Sequence, residues 1–98
     1  MRTSKRRPAV VVQADRLRAD LPQTIVAMIT SNMARAGHPS RVIVKLGSEE
    51  ARGTGLLTDS VVMTDNLATI LDSEIDRAIG MFTGLTEIDA ALRATLAL

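Results

Sequence analysis

The sequence predicts a mainly β fold with a C-terminal helix: a small, strongly bent antiparallel sheet or partly open barrel. Three observations predict it. Short runs rich in β-branched residues recur at 9–13, 24–30, 41–46 and 60–64, the composition of half-buried strands. The stretches between them collect Gly, Pro, Ser and Asp, which favour turns. Only the end of the chain repeats apolar residues at spacings of three and four, the mark of a helix with one apolar face. At 98 residues, a single domain spanning 1–98 is expected.

Each element has its own signal. Ala9-Val10-Val11-Val12-Gln13 reads as a buried strand, and Pro8 suits its first position, where no ladder donor is needed. The polar stretch 15–20 can form one helical turn before Pro22. Thr24–Thr30 is a second strand, apolar on both faces and ending in Thr30-Ser31-Asn32. Residues 31–40 form a loop with Gly37 and Pro39. Arg41–Leu46 is a third strand, and 47–55, with three glycines, a long connection. Ser60–Thr64 is a fourth strand, expected to continue through a bulge toward Ile70. Asp72-Ser73-Glu74 is a turn or short helix, and Arg77–Phe82 a short final strand. Thr83 is placed to cap the closing helix, whose apolar face is Leu85, Ile88, Leu92 and Leu96.

Composition excludes several functions. Phe82 is the sole aromatic residue, so no aromatic platform for stacking bases can exist. With no cysteine, thiolate chemistry and zinc knuckles are excluded, and with one histidine a His-based metal site would need a second subunit. Neither a metal nor another cofactor is expected. No apolar run approaches the roughly 18 residues of a membrane span, and the basic start is not followed by a signal-peptide core. A cytoplasmic chain without a membrane partner is the expectation.

The net charge of +1 conceals a gradient. Residues 1–52 hold ten basic and four acidic groups, a balance of +6. Residues 53–98 hold two basic and seven acidic groups, a balance of −5. A basic front suits a polyanionic partner. Halves that interleave in space and cancel are the blander alternative.

Few residues offer chemistry. The glycines of 47–55 lack the Gly-Lys-Ser/Thr ending of a phosphate-binding loop. Asp72, Glu74 and Asp76 read first as a solvated acidic face rather than an ion site. His38 sits in a loop with no partner in view to orient it. There remain Arg7, at the mouth of the first strand, and Thr30, at the end of the second. If these strands pair antiparallel, both residues lie at the same end. A guanidinium beside hydroxyl donors can hold a phosphate and stabilise the charge that builds when an RNA 2′-OH attacks its own 3′ phosphate. On these residues alone, a surface arginine and a strand-ending threonine remain the simpler account.

Longer motifs add a resemblance. Arg6-Arg7-Pro8-Ala9-Val10-Val11-Val12-Gln13 resembles the second-strand motif of the MazF/PemK growth-inhibitor toxins. So does Val26–Asn32 followed by His38-Pro39-Ser40-Arg41-Val42. Asp59-Ser60-Val61-Val62 with Asp65-Asn66-Leu67-Ala68-Thr69-Ile70 is similar to a later strand of the family, and Ile79-Gly80 with Ile88–Leu98 to its closing strand and helix. The resemblance implies a small SH3-like barrel of the CcdB/MazF type that forms a homodimer. It implies a toxin of a type II toxin–antitoxin system: an endoribonuclease that cuts single-stranded RNA (mRNA) at short sequences and is neutralised by a cognate antitoxin.

On this resemblance Arg7 and Thr30 are the catalytic residues, and Ser31 and Asn32 share their pocket as RNA contacts; Lys5, Arg6 and Arg41, from the basic half, are expected to contact RNA as well. Two departures from the family pattern accompany it. Only six residues precede Arg7, so the family's first strand and gating loop are expected to be missing and the barrel incomplete at the N-terminus. Asn66 and Ala68 replace the usual glutamine and arginine. The competing expectation is a non-catalytic module on the same barrel, binding an antitoxin or acting by protein contact as gyrase poisons do.

Overall fold

The computed structural model describes residues 6–14 and 21–98. Lys5 and the expected helical turn at 15–20 lie outside the described residues. Four strands form one antiparallel sheet: β1 (Ala9–Val11), β2 (Gln23–Thr30), β3 (Arg41–Val44) and β4 (Ser60–Leu71), in the spatial order β1-β2-β4-β3. A 3-10 turn at Asp72–Glu74 and a helix, α1 (Leu85–Leu96), complete the described elements.

The sheet curls because β4 serves two partners and bends between them. Its first residues are flanked on both sides: Met63 stands opposite Met28 of β2 and Arg41 of β3. Its last residues pair with β2 alone, from Leu67 opposite Ala27 to Leu71 opposite Gln23. Thr64, Asp65 and Asn66 therefore stand opposite no residue of β2. This is the expected bulge, and it sharpens the local twist. Its inward member, Thr64, is fully buried. The Thr64 amide and hydroxyl both donate to the Ser40 carbonyl, at 3.0 and 2.6 Å, and its Oγ1 meets Thr95 Oγ1 of α1 at 2.8 Å. The buried amide and hydroxyl of Thr64 are thus satisfied within the fold.

The core lies between the sheet and α1. Directly paired residues share a face of a sheet, so Ile29, Val62 and Val42 form one inward row. Ala27, Val44, Ile88 and Ala91 close around that row, with Leu92 and Phe82 packed at its edge. The opposite face carries the row Ala9, Met28, Met63 and Arg41, and next to it Thr30, Val61 and Ile43.

Several expectations change. β1 is an edge strand rather than a buried one, and Val11 is 46% exposed. It ends early because the Gln13 side chain, not the Val12 carbonyl that stands opposite, accepts the Ile25 amide at 3.1 Å. β3 stops at Val44, where Lys45 opens a turn closed by the Ser48 amide. Residues 77–82 form no strand. Their neighbour is the Gly53–Gly55 turn, whose glycines have positive φ and present no regular ladder, and one bond, Met81 amide to Gly53 carbonyl at 2.8 Å, joins the two. The chains touch so closely that a Cβ at Gly55 or Gly80 would strike opposing backbone.

Gly84, not Thr83, caps α1. It is buried against the Phe82 ring, where a Cβ would clash. The face of α1 that meets the sheet is Ile88 and Ala91, with Leu92 and Thr95 beside them. Leu85 and Leu96 are 61% and 50% exposed, because the Thr95–Thr64 bond fixes the helix in a different rotation.

Candidate functional site

The end of β2 shows how the sequence builds the site. The Pro8 carbonyl accepts the Ile29 amide at 3.2 Å, extending the β1–β2 ladder one residue past β1. Continued past β1, the same register brings Arg7 to the end of the pair at which Thr30 lies. The expected juxtaposition at one end of the antiparallel pair is therefore present. Arg7 is exposed, and its side chain has no partner among the described residues.

Beyond β2 the chain turns sharply on its own side chains. The Thr30 hydroxyl oxygen accepts the Asn32 amide at 3.1 Å, and the Asn32 side-chain carbonyl accepts the Ala34 amide at 3.0 Å. Such local bonds are typical of Thr and Asn at turns. They fix both side chains by their acceptors and leave their donors available: the Thr30 O–H and the Asn32 amide group have no acceptor among the described residues. The turn encloses an open depression of about 270 Å³ lined by Thr30, Asn32, Ala34, Arg35, Arg41 and Met63.

The depression thus gathers three of the candidates read from the sequence: Thr30, Asn32 and Arg41. Ser31 is exposed between two of them. Arg6 points elsewhere, 3.7 Å from Asp76, which also meets Arg77 at 3.4 Å. Arg41 differs from the expected free cation. Its Nε and Nη2 donate to the two carboxylate oxygens of Asp65 at 2.9 and 3.1 Å. That bidentate bond from Arg41, the main cause, holds the Asp65 carboxyl below the ordinary carboxylate range.

Two features were not singled out from the sequence. Arg35 lines the depression and has no ion pair among the described residues. Its signal was a basic residue inside the loop that follows Thr30-Ser31-Asn32. His38, expected to lack an orienting partner, has one. The Ser40 amide donates to its Nδ1 at 3.1 Å, and the Ser40 hydroxyl lies 2.7 Å from the same atom. A backbone N–H can only donate, so Nδ1 is the bare nitrogen and Nε2 carries the proton.

The acidic cluster has structural duties. Asp72 accepts the Thr24 hydroxyl at 2.7 Å, Glu74 accepts the Leu71 amide at 2.8 Å, and Asp76 faces two arginines. Among the described residues no three metal-ligating side chains come together, and no helix is long and apolar enough to cross a membrane.

The curled half-barrel with a closing helix is a toxin fold. The chain belongs to the family of PemK-like, MazF-like toxins of type II toxin–antitoxin systems, which it matches over residues 2–96. Endoribonuclease MazF6 of Mycobacterium tuberculosis is 35% identical over 96 residues, covering 95% of this chain and 80% of that protein. Endoribonuclease MazF2 of Mycobacterium bovis has the same identity and coverage. Among solved structures, the Mycobacterium tuberculosis toxin MazF-mt6 superposes with a TM-score of 0.76 at 28% identity, over 94% of this chain and 87% of that one. A mycobacterial endoribonuclease in complex with its cognate antitoxin shares the fold, with a TM-score of 0.76 at 22% identity over 94% of this chain and 82% of that one.

Proposed function

We propose that this toxin is an endoribonuclease that cleaves single-stranded RNA, mRNA included, at short specific sequences without a metal ion, with Arg7 and Thr30 as its catalytic residues. The observation that carries the reading is the register that brings Arg7 to the end of the strand pair at which Thr30 lies, while the bond from the Asn32 amide leaves the Thr30 O–H free to donate.

In the reaction the RNA 2′-oxygen attacks its own 3′ phosphorus. The O2′–P bond forms, the P–O5′ bond breaks, the 2′-hydroxyl gives up its proton, and the departing O5′ gains one. The products are a 2′,3′-cyclic phosphate and a 5′-hydroxyl. Negative charge accumulates on the non-bridging oxygens as phosphorus becomes five-coordinate. Arg7 supplies a positive charge and the Thr30 hydroxyl a donor for that charge, and Arg35 adds a cation from the depression. The role of Arg7 is electrostatic stabilisation, and such donors typically contribute ~10²–10³ in rate each.

Lys5, Ser31, Asn32 and Arg41 extend the contact surface for the RNA strand. The molecule works as a homodimer, a reading supported by the apolar flank that α1 leaves uncovered, Leu85 and Leu96, and by Met81 at 78% exposure. A cognate antitoxin presents an acidic, disordered segment to the same cationic surface and competes with RNA, as the family's place in toxin–antitoxin systems supports.

The test is an RNA cleavage time course in EDTA, with end-group analysis of the products and circular dichroism as the folding control. The parent chain cuts and leaves 5′-hydroxyl ends; Arg7→Ala cuts ~10²–10³ more slowly while remaining folded. Cleavage that requires a divalent ion overturns the metal-free mechanism. A folded parent chain that cuts no RNA supports the non-catalytic, partner-binding alternative.

A further inference from the structure

Arg41 and Asp65 stand 24 positions apart in sequence, and the β4 bulge brings them together. Thr64 is anchored inward by Ser40 and Thr95, so the next residue, Asp65, turns outward on the side of β3. Arg41 begins β3, with its amide donating to the His38 carbonyl at 2.9 Å and its Cα opposite Met63. The Arg41 side chain is only 17% exposed, yet it lines the depression beside Thr30.

The way the pair is made decides what it offers. Asp65 takes Nε and Nη2, the side of the guanidinium. Three of the five N–H groups remain, and among the described residues they have no acceptor. One on Nη1 and one on Nη2 run parallel at the end of the fork. The pair as a whole is neutral, so its pull on a phosphate is weak beside that of Arg7 and Arg35, which have no carboxylate partner among the described residues. What it presents is a planar, immobilised pair of donors.

We infer that the Arg41–Asp65 pair reads a nucleobase edge, Arg41 donating end-on to two adjacent base acceptors of the kind guanine offers at O6 and N7, with Asp65 as the residue that positions it. This rests on the ribonuclease reading above. Bidentate arginine–guanine contact is the commonest specific base contact in nucleic-acid recognition. A carboxylate that locks the guanidinium plane reduces the freedom lost on binding. The site then divides its labour: unpaired arginines hold phosphate, and the paired arginine chooses sequence.

Two measurements test this, with Arg41→Lys and Asp65→Asn alongside the parent. One is cleavage of an RNA pool randomised around the cut. The other is the salt dependence of binding to an oligonucleotide whose scissile nucleotide is 2′-deoxy, so that it cannot be cut. Arg41→Lys keeps the charge and loses the fork. It is expected to relax the preference at a single nucleotide position by ~10-fold or more, leaving the salt slope as in the parent. Asp65→Asn frees the Arg41 charge and is expected to relax the same position while steepening the salt slope by about one unit.

If the variants cut with the parent's sequence preference and differ only in melting temperature, the pair is structural and the inference is wrong. A preference unchanged in Arg41→Lys, with a steep salt dependence lost in Arg41→Gln, makes Arg41 a phosphate contact and also overturns it. If the parent cuts no sequence in the pool, the ribonuclease reading fails first and the base-reading role fails with it.

Discussion

The two ends of β2 carry the same residue type to opposite effect. At one end Thr24 is fully buried. Its hydroxyl donates to Asp72 at 2.7 Å, the Asp72 amide returns a bond to the Pro22 carbonyl at 2.9 Å, and nearby Gln13 caps the Ile25 amide. Polar groups there are turned onto one another, as burial demands. At the other end Thr30 accepts a bond from the turn that follows it and has no acceptor for its own hydrogen among the described residues. Arg35 lines the same depression without an ion pair, and Arg7, at the same end of the strand pair, has none either among the described residues. The first end stabilises the fold. The second holds donors and positive charge in readiness, at some cost in self-repulsion. A threonine's chemistry is therefore set by which of its bonds the fold has already used.

Perturbations at the two ends should separate cleanly. The largest expected effect outside the catalytic pair is at the open end. Arg35→Glu reverses a charge in the depression and should weaken binding of single-stranded RNA by ~10-fold or more at low salt, whereas Arg35→Ala should lower the slope of log K against log salt by about one unit. A slope unchanged in Arg35→Ala would show that this cation never meets a phosphate.

At the closed end Gln13→Ala removes the acceptor of the Ile25 amide. It should cost about 1 kcal/mol of stability, measured by urea unfolding, with the cleavage rate of the folded protein unaffected. Loss of cleavage without loss of stability would contradict the division between the ends.

The smallest effect concerns acid. Arg41 lowers the pKa of Asp65 in the folded chain, so the ionised carboxylate favours folding above the ordinary carboxylate value of about 3.9. That contribution is lost as pH falls through the lowered folded value. The difference in melting temperature between the parent and Asp65→Asn should therefore be constant from pH 8 to 5 and shrink only below about pH 4. Both groups are partly solvated, so the difference is modest. A difference that does not change down to pH 3 would show that the pair does not hold in solution.

Much of this was legible in the residues because the informative elements are local. β2 announces itself through Thr24–Thr30, and Pro8 marks where β1 begins. Thr30, Asn32 and Arg41 carry a family resemblance that the fold bears out. What the sequence concealed depends on contacts between distant positions. The partnership of Arg41 with Asp65 requires knowing that three residues of β4 bulge away from β2 and that Thr64 is the one turned inward. Arg35 is part of the depression because the turn at 30–34 folds back on its own side chains. The rotation of α1 was misread because leucine spacing marks Ile88 and Leu92 but says nothing of the hydroxyl bond from Thr95 to Thr64. Residues 77–82 have the composition of a strand, but the Gly53–Gly55 turn gives them no ladder to join.

The most direct test of the contrast is a pair of nearly isosteric changes, Thr24→Val and Thr30→Val, examined on one RNA substrate by initial cleavage rate and thermal melting. Thr30→Val should lose ~10²–10³ in rate and melt close to the parent, because the exposed Asn32 amide it releases turns to water. Thr24→Val should melt several degrees lower, for a loss of ~1–3 kcal/mol, and cut at the parent's rate once corrected for the folded fraction. A Thr30→Val protein that cuts like the parent would contradict the account, because the free hydroxyl at the open end of β2 would then have no part in the reaction.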